Sequence, residues 1–319
     1  SIALAPGGDG KSSTAATKDD EAMSSKTSEE ISAIAAAAAQ AAMAAILQET
    51  QFVDGLESLV ELVAGRRVAV LTGAGVSTDS GIPDYRGAGR VAKHPMTYDV
   101  FVGSKDAQIR YWSRSYIGWD RIANANPNQG HYALAHAENL GRVAQVITQN
   151  VDGLHQRAGS KRVIDLHGRL DRVTCLNCSQ EMHRSEMDAL LRELNPGIKK
   201  DESFEFTPDG DAEVDLADGF QIPSCDNCGG ILKPDVVFFG ESVPSDRVEH
   251  AMTTLDQAEA LLVAGTSLSV NSGLRFARRA AKAKKPIIIV NLGVTKGDEL
   301  ASVKIEASTS LVLERLLID

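Results

Sequence analysis

Arg67-Val-Ala-Val-Leu-Thr72, followed by Gly73-Ala-Gly-Val-Ser77, is the stretch that decides the fold. A short apolar run that ends in a glycine turn, with a helix expected to start there, can cradle a pyrophosphate, because glycines let the backbone approach the anion closely. Thr78 stands where the dinucleotide fingerprint has its third glycine. On this pattern alone, a plain strand-to-helix turn is an equally good interpretation.

Outward from this stretch, strand-like apolar runs alternate with helical patterns. Such alternation indicates an α/β fold, a Rossmann-like parallel sheet with helices on both faces. The predicted strands besides the first are Val143–Thr148, Val163–Leu166, Val236–Phe239, Ala260–Ala264 and Pro286–Asn291. The predicted helices are Phe52–Ala64, His131–Leu140, Asp246–Ala258 and Asn271–Lys284, the first of them ended by Gly65.

The chain divides into three predicted regions. Residues 1–50 are rich in Ala and Ser, lack Phe, Tyr and Trp, and are expected to form a flexible N-terminal tail. Residues 51–170 and 231–319 carry the strand–helix alternation and are assigned to the Rossmann-like domain. Residues 171–230 break that alternation, and we expect a small inserted module with an acidic insertion.

Charge and hydropathy exclude several classes of partner. The 319 residues hold 33 Lys and Arg against 43 Asp and Glu, a net charge of −10, and only 5% are aromatic. An acidic chain with few aromatic residues binds phosphate backbones and stacked bases poorly, so no nucleic acid is expected as a partner. The sequence lacks an apolar run of 18 or more residues, so no membrane span is expected.

The four cysteines form two Cys-x-x-Cys pairs, Cys175 with Cys178 and Cys225 with Cys228. Two such pairs are typical of a tetrahedral zinc site, and four thiolates saturate the ion, so the site should be structural. A redox thiol pair and unliganded core cysteines are the alternatives. Zinc thiolates need reduced cysteines, which favours a reducing compartment.

Polar residues follow two of the predicted strands. Gln149, Asn150 and Asp152 come after one strand, and His167 comes after the next. Ligands of open α/β sheets bind outside the carboxyl ends of strands, where these side chains can bond a ribose or a carboxamide. A histidine there can act as a general base near neutral pH. The alternatives are an Asx turn at Asp152 and a structural histidine.

The segment Gly81-Ile82-Pro83-Asp84-Tyr85-Arg86-Gly87 is predicted to be a loop, because Pro83 and the two flanking glycines disfavour a helix. Its polar and aromatic content suggests a mobile lid over a ligand. A surface turn stapled by an ion pair between Asp84 and Arg86 is the alternative.

Taken together, these segments resemble the sirtuins, NAD-dependent protein-lysine deacylases. The sequences at Pro83–Arg86, Pro208–Asp211 and Lys233–Phe239 are similar to those of class II sirtuins, which include a mitochondrial type and bacterial relatives. The matching blocks, in family order, are Gly73–Ser77, Ile82–Arg86, Thr148–Asp152, His167-Gly168, the four cysteines, Val236–Glu241, Gly265–Ser267 and Asn291.

The resemblance implies an NAD-binding domain, NAD as cosubstrate and one structural zinc ion. It implies that His167 is the general base and that Asn150 takes part in catalysis. Bacterial relatives favour a cytoplasmic location, with the mitochondrial matrix as the alternative. The residues that the resemblance assigns to NAD are Gly73, Ala74, Gly75, Ser77, Ile82, Asp84, Tyr85, Arg86, Gln149, Asn150, Val151, Asp152, Gly265, Thr266, Ser267, Asn291, Leu292, Gly293 and Ser302.

For the substrate, the resemblance implies an acylated-lysine protein bound as an added strand beside Val236, Val237, Phe238, Phe239 and Gly240. Phe238 and Phe239 would line an apolar tunnel, or would simply be core residues. Tyr111 and Arg114 share a helix face at i and i+3, as in sirtuins that accept acidic acyl groups. An amphipathic helix with an exposed arginine is the alternative.

Two other functions use the same residues. Protein ADP-ribosyl transfer would use the same activated ribose, and a non-catalytic NAD or ADP-ribose sensor would bind without releasing nicotinamide. A sensor has no need of a base that faces the sugar, which weighs against it. We expect a monomer.

Overall fold

The structure is a computed structural model that describes Gln40, Met43 and residues 55–84, 96–200 and 218–318. Phe52–Asp319 form one compact unit. The predicted N-terminal tail lies outside the described residues apart from Gln40 and Met43, both helical. Tyr85, Arg86 and the Pro208–Asp211 segment also lie outside them.

A six-stranded parallel sheet forms the centre of this unit and confirms the predicted α/β class. Its strands are β1 (Val68–Thr72), β2 (Val143–Thr148), β3 (Val163–Asp165), β7 (Ala260–Ala264), β8 (Ile287–Val290) and β9 (Val303–Ile305). They lie in the order β3-β2-β1-β7-β8-β9, and every pairing is parallel. The strand order therefore reverses between β1 and β7.

Helices cover both faces of the sheet. Successive side chains of a strand point to opposite sides, so each strand packs against helices on both faces. Val68 and Val70 of β1 pack in one cluster, and Ala69 and Leu71 pack in another. The first cluster takes in residues of α1 (55–63), α4 (Gln129–Asn139) and α9 (Thr309–Ile318), and the second those of α7 (Ser245–Gln257) and α8 (Asn271–Lys282).

The region around the cysteines forms a second, three-stranded antiparallel sheet of order β5-β4-β6. Its strands are β4 (Gly168–Cys175), β5 (Glu181–His183) and β6 (Leu232–Val236), and α6 (Arg184–Leu194) follows β5. A third core cluster joins this sheet to α2 (Tyr98–Gly103) and α3 (Lys105–Asn124). A short helix, α5 (Leu154–Arg157), follows β2.

The prediction of a strand over Val236–Phe239 in the parallel sheet is wrong. The strand there is β6, which ends at Val236 and pairs antiparallel with β4. Beyond it, the Phe238 N–H donates to the Glu241 carboxylate at 2.8 Å, so this backbone group does not pair with a strand. An apolar run predicts a buried strand but does not say which sheet takes it.

The helix expected after the glycine turn is also absent from the described residues 73–84. The chain instead makes two short 3-10 turns, Ala74–Val76 and Thr78–Ser80. Gly81, with φ at 80°, ends the second turn in a left-handed conformation that a helix cannot continue. Among the described residues, no helix is long and apolar enough to span a membrane.

Candidate active site

The reversal of strand order places a crevice at the carboxyl ends of β1 and β7, where open α/β sheets bind ligands. The loops that follow these strands lie side by side across it. Gly73 N–H donates to Ala264 O at 3.1 Å, and Gly75 N–H donates to Gly265 O at 2.8 Å. Ala74, Gly75, Thr266 and Ser267 are partly exposed on these loops.

The glycines of these loops are fixed by the contact between them. A Cβ on Gly265 would lie 2.4 Å from Val76 N, and φ is +62° there. A Cβ on Gly73 would lie 2.6 Å from the Thr266 Cβ. In the structure, these glycines therefore allow the backbone of one loop to lie close to the other loop. The two loops together form the floor of the crevice.

The Asn150 side chain is hydrogen-bonded to the loop that follows β1. Its Nδ2 donates to Gly73 O and to Ser77 Oγ, each at 3.1 Å. Because a carbonyl only accepts, the amide group that faces Gly73 must be the NH2. Both amide protons are then engaged, and Oδ1 is the atom that remains to accept a hydrogen bond from a ligand.

Asp152 completes this network. Ser77 Oγ donates to Asp152 Oδ2 at 2.7 Å, and Leu154 N–H donates to Oδ1 at 2.9 Å. The second contact is the Asx turn that the sequence offers as an alternative. Burial raises the pKa of the Asp152 carboxyl, and the hydrogen bonds from Leu154 and Ser77 oppose that shift. Ser77 is fully buried, so its hydroxyl supports the crevice from beneath.

Gln149 links the loops after β1, β2 and β7. Its Nε2 donates to Thr72 O at 3.2 Å and to Thr266 Oγ1 at 3.1 Å. Its Oε1 therefore faces the start of α8, where a Cβ added to Gly273 would lie 2.6 Å away. Gly273 is the residue that allows α8 to approach Gln149.

His167 lies partly exposed just past β3, with both ring nitrogens engaged. Nδ1 lies 3.0 Å from Gln149 O, which only accepts, so Nδ1 carries the proton and Nε2 is the acceptor. Burial lowers the pKa of the imidazole, Arg247 and Arg275 add to the lowering, and the bond to Gln149 opposes it. A neutral imidazole with an acceptor Nε2 has the form that a general base requires.

The residues assigned to the adenosine end lie apart from one another. Asn291 follows β8 at the carboxyl edge, and its Nδ2 donates to Leu292 O at 2.7 Å and Gly293 O at 3.2 Å. The Leu292 side chain is exposed beside it. Ser302 does not lie where the resemblance places it, beside the adenosine end of NAD. Its Oγ accepts from Ile287 N–H at 3.2 Å, at the amino end of β8. It therefore lies at the opposite edge of the sheet from the crevice.

The remaining residues that the resemblance assigns to NAD divide between core and loop. Ile82 is buried and its N–H donates to Ser77 O, so this residue of the segment predicted to be a lid belongs to the core. Val151 is partly buried, and its carbonyl accepts from Leu170 N–H at 2.9 Å. Asp84 is partly buried too, whereas Tyr85 and Arg86 lie outside the described residues.

The segment predicted to bind substrate alternates between core and surface. Val236 and Phe238 are buried, whereas the Phe239 side chain is 46% exposed. Phe238 packs with its ring centroid 5.2 Å from those of both Phe101 and Tyr111, so the core interpretation fits it. Val237 N–H donates to His167 O at 2.8 Å, which fixes the segment beside the histidine. Arg114 of α3 is partly buried.

Sequence reasoning missed two residues that shape this segment, Lys233 and Glu241. Lys233 is buried, with Nζ 3.0 Å from the Glu241 carboxylate and 4.6 Å from the Phe238 ring centroid, and it also bonds Val236 O. Burial lowers the pKa of the Lys233 ammonium, and Glu241 opposes the shift. A lysine inside an apolar run was the available signal, since such a residue is rarely buried without a partner.

The four cysteines come together as predicted. Their sulfur atoms all lie within 4.8 Å of one another, with Cys175 3.5 Å from Cys228 and Cys178 3.7 Å from Cys225. A tetrahedral zinc ion with bonds of about 2.3 Å would hold its sulfur ligands about 3.8 Å apart. The donor set therefore fits zinc, and four thiolates leave it no open position for catalysis.

Comparison with known proteins supports one family. The Sir2 family matches residues 73–272. A protein of Xanthomonas campestris pv. campestris (strain 8004), named NAD-dependent protein deacetylase, is 50% identical over 268 residues, which cover 83% of this chain and 90% of that protein. NAD-dependent protein deacetylase 1 of Mycobacterium avium (strain 104) is 50% identical over 262 residues, 81% of this chain and 93% of that one.

Solved structures agree with this family. A structure of Sir2 with a p53 peptide and NAD+ has a TM-score of 0.67 and 29% identity, and the match covers 82% of this chain and 96% of that one. A second structure, described as showing the structural basis for the mechanism and regulation of Sir2 enzymes, has a TM-score of 0.65 and 33% identity, covering 83% and 96%.

Proposed function

The chain belongs to the Sir2 family, and on that premise we propose that it is an NAD-dependent protein-lysine deacylase. The curated relatives are named NAD-dependent protein deacetylases, and one related structure contains a peptide together with NAD+. The observation that carries the proposal is the His167 imidazole after β3, with Nδ1 3.0 Å from Gln149 O and Nε2 3.0 Å from Ser272 Oγ, which in the neutral ring makes Nε2 the acceptor. A sensor of NAD would not need this arrangement.

Two glycine loops and the loop that follows β2 offer what a dinucleotide requires. Ala74, Gly75, Thr266 and Ser267 would hold the phosphates, and Oδ1 of Asn150 would accept from a ribose hydroxyl. When bound, NAD supplies a ribose whose bond to nicotinamide breaks and whose hydroxyl receives the acyl group.

The protein's own residues then bind, orient and move a proton. The Ser77–Asp152–Asn150 network keeps Asn150 pointed at the sugar, and Gln149 fixes His167 through its backbone carbonyl. His167 takes up a proton from the ribose side at Nε2, while Nδ1–H stays bonded to Gln149 O. Zinc would hold the cysteine module together and would take no part in the reaction.

We also propose that the acylated peptide lies against residues 236–240. The alternation of buried Val236 and Phe238 with exposed Phe239 favours an extended segment. Part of its backbone is already engaged, because Phe238 N–H bonds Glu241 and Phe239 O accepts from Tyr98 N–H. A peptide strand would therefore pair with fewer backbone groups than a free sheet edge offers.

Acyl preference and subclass are further proposals. Tyr111 lies beside Phe238, one turn before Arg114 on α3, which supports acceptance of longer or acidic acyl groups. Turnover of acetyl-, succinyl- and hydroxymethylglutaryl-lysine peptides by wild type and Arg114→Ala tests this. A selective loss of the acidic substrates supports it, whereas an equal loss of all three contradicts it. The class II assignment and a cytoplasmic location, with the mitochondrial matrix as the alternative, stand on the family resemblance, and a reducing compartment stands on the need of zinc for reduced cysteines.

Product analysis tests the deacylase proposal directly. Full-length protein, NAD and an acetyl-lysine peptide should yield free lysine peptide, nicotinamide and O-acetyl-ADP-ribose in equal amounts by mass spectrometry. ADP-ribose attached to protein, without free lysine, would identify a transferase instead. Binding of NAD without nicotinamide release would identify a sensor.

A further inference from the structure

Ser272 contacts the histidine of the site but is absent from the residues that the family resemblance assigns to it. It lies in the first turn of α8, and its Oγ is 3.0 Å from His167 Nε2. The next residue, Gly273, packs against the Gln149 side chain, whose backbone carbonyl bonds the other ring nitrogen of His167. Two separate contacts therefore fix the position of the start of α8 relative to His167.

The direction of these hydrogen bonds follows from their partners. Gln149 O only accepts, so Nδ1 of His167 carries the ring proton and Nε2 presents its lone pair. The contact between Ser272 and Nε2 is therefore a bond that the serine hydroxyl donates. A hydroxyl has one proton and two lone pairs, so Ser272 Oγ, partly exposed, can still accept a bond but cannot donate another.

We propose that Ser272 relays the proton, so that the ribose hydroxyl donates to Ser272 Oγ while Ser272 donates to His167 Nε2. This inference rests on the proposed deacylase function. It follows because neither ring nitrogen of His167 has a free lone pair, whereas Ser272 Oγ presents two lone pairs beside it.

The relay balances in protons and electrons. The O–H bond of the ribose hydroxyl breaks, and its proton forms a new O–H bond on Ser272. The former hydroxyl proton of Ser272 forms an N–H bond at His167 Nε2. The ribose oxygen keeps the electron pair of the broken bond and uses it to bond the acyl carbon, whose double bond to the lysine nitrogen gives its π electron pair to that nitrogen. The serine and the histidine return to their starting forms when Ser272 gives its proton to the departing lysine nitrogen and takes one from His167 Nε2.

Ser272 also stabilises the charged product of the transfer. Burial lowers the pKa of His167, and the charges of Arg247 on α7 and Arg275 on α8 add to the lowering, so all three oppose a positive charge on its ring. Once Nε2 carries a proton, Ser272 Oγ accepts a hydrogen bond from it. Hydrogen bonds to charged groups are stronger than neutral ones, so this contact favours the imidazolium form.

Kinetics of Ser272 variants test the relay in the full-length enzyme. Ser272→Ala should lower the rate of lysine release roughly 10²-fold, within the range for a lost proton-transfer group. Exchange of labelled nicotinamide into NAD precedes this step and should stay within a few-fold of wild type. Ser272→Thr keeps the hydroxyl and should restore most of the rate. The matched control is Ser245→Ala, in the exposed first turn of α7.

A readout in the absence of NAD tests the contact independently of activity. Nitrogen-15 NMR of the histidine rings should show His167 as the Nδ1–H tautomer with a hydrogen-bonded Nε2. Ser272→Ala should shift the Nε2 resonance toward that of a free acceptor, and Ser245→Ala should not. A proton inventory in mixed H2O and D2O should curve in wild type, because two protons move together, and be linear in Ser272→Ala.

The outcomes separate this inference from the function on which it rests. Lysine release at the wild-type rate by Ser272→Ala would show that the ribose reaches Nε2 directly and would overturn the relay. An unchanged Nε2 resonance in the variant would overturn the contact itself. Failure of the wild-type protein to release lysine with NAD would instead overturn the deacylase proposal, and the NMR test would still report on the contact.

Discussion

Gly265 is fixed by the loop that it packs against. Gly265→Ala would force a Cβ against Val76 N, so the two loops must separate. We expect the Kd for NAD to rise about tenfold or more, equivalent to roughly 1.4 kcal/mol or more. Calorimetric titration with NAD measures it.

The matched control is Gly141→Ala, where φ is +76° and a Cβ would have no atom within 4 Å. It carries the same left-handed strain, about 1–2 kcal/mol, without the collision. It should lower the melting temperature and leave NAD binding unchanged. Equal effects of the two variants on NAD binding would contradict the packing argument.

Two buried histidines beneath the glycine loop give stability a dependence on pH. His131 and His155 pack with ring centroids 4.8 Å apart, His131 Nδ1 accepts from Asn128 N–H, and His155 Nε2 contacts Thr72 Oγ1 at 2.9 Å. Burial lowers the pKa of His131 to about 4, and burial together with His131 lowers that of His155.

The sign follows from proton binding. Between pH 6.5 and about 4 the unfolded chain protonates His131 and the folded chain does not, so stability falls as the pH falls through this window. The contribution of His131 should be complete above pH 6.5 and about 2 kcal/mol smaller at pH 5. His131→Gln should reduce the drop in melting temperature between pH 7.5 and pH 5. His136→Gln, at an exposed position on α4, is the control, and an equal drop in both variants would contradict this account.

At the scale of elements, the small antiparallel sheet depends on its cysteines. Cys175 ends β4, and Cys225 and Cys228 precede β6, so one ion would tie both strands together. A strong chelator should remove one zinc ion per chain and lower the melting temperature by about 2–4 °C for each kcal/mol lost. Parallel assays of zinc release and of circular dichroism measure this. A chain that holds no zinc after purification in zinc-supplemented medium would contradict it.

Elements also mark where sequence reasoning succeeds and where it stops. The bounds of β2 and the positions of α4, α7 and α8 agree with the predicted segments to within two residues, because strong periodicity decides them. The pairing of β4 with β6 could not be predicted from the sequence, because the paired residues lie about 60 positions apart. The helix expected after Ser77 gave way to 3-10 turns, because Ser77 and Asn150 hold that loop by tertiary contacts.

The residues of the candidate site divide in the same way. Gln149, Asn150, Asp152 and His167 could be predicted, because polar side chains at strand ends share one edge of a parallel sheet. Ser272 could not, because His167 lies 105 positions away and only the fold brings the two together. The pair of Lys233 and Glu241 was missed, although a lysine inside an apolar run signals a buried partner. Ser302 was assigned to the wrong edge of the sheet, because it comes just before β9 and lies beside the amino end of β8 and not beside its carboxyl end.

At the scale of the whole molecule, three chain segments meet at His167. The loop after β2 fixes Nδ1, the start of α8 fixes Nε2, and the backbone after β6 bonds the histidine carbonyl. The histidine thus stands where the large sheet, the small sheet and α8 converge. The proposed reaction, which transfers an acyl group from a protein substrate to a dinucleotide, requires such a meeting point, since we propose a different part of the fold for each ligand.

The most direct test of the central claim compares wild type with His167→Ala and with His183→Ala, an exposed histidine at the end of β5. The measurement is the rate of NAD-dependent lysine release from an acetyl-lysine peptide, with NAD binding checked by calorimetry. We predict a loss of roughly 10²- to 10⁴-fold in His167→Ala, with NAD binding largely retained and His183→Ala unaffected. Lysine release by His167→Ala within a few-fold of wild type would contradict the account.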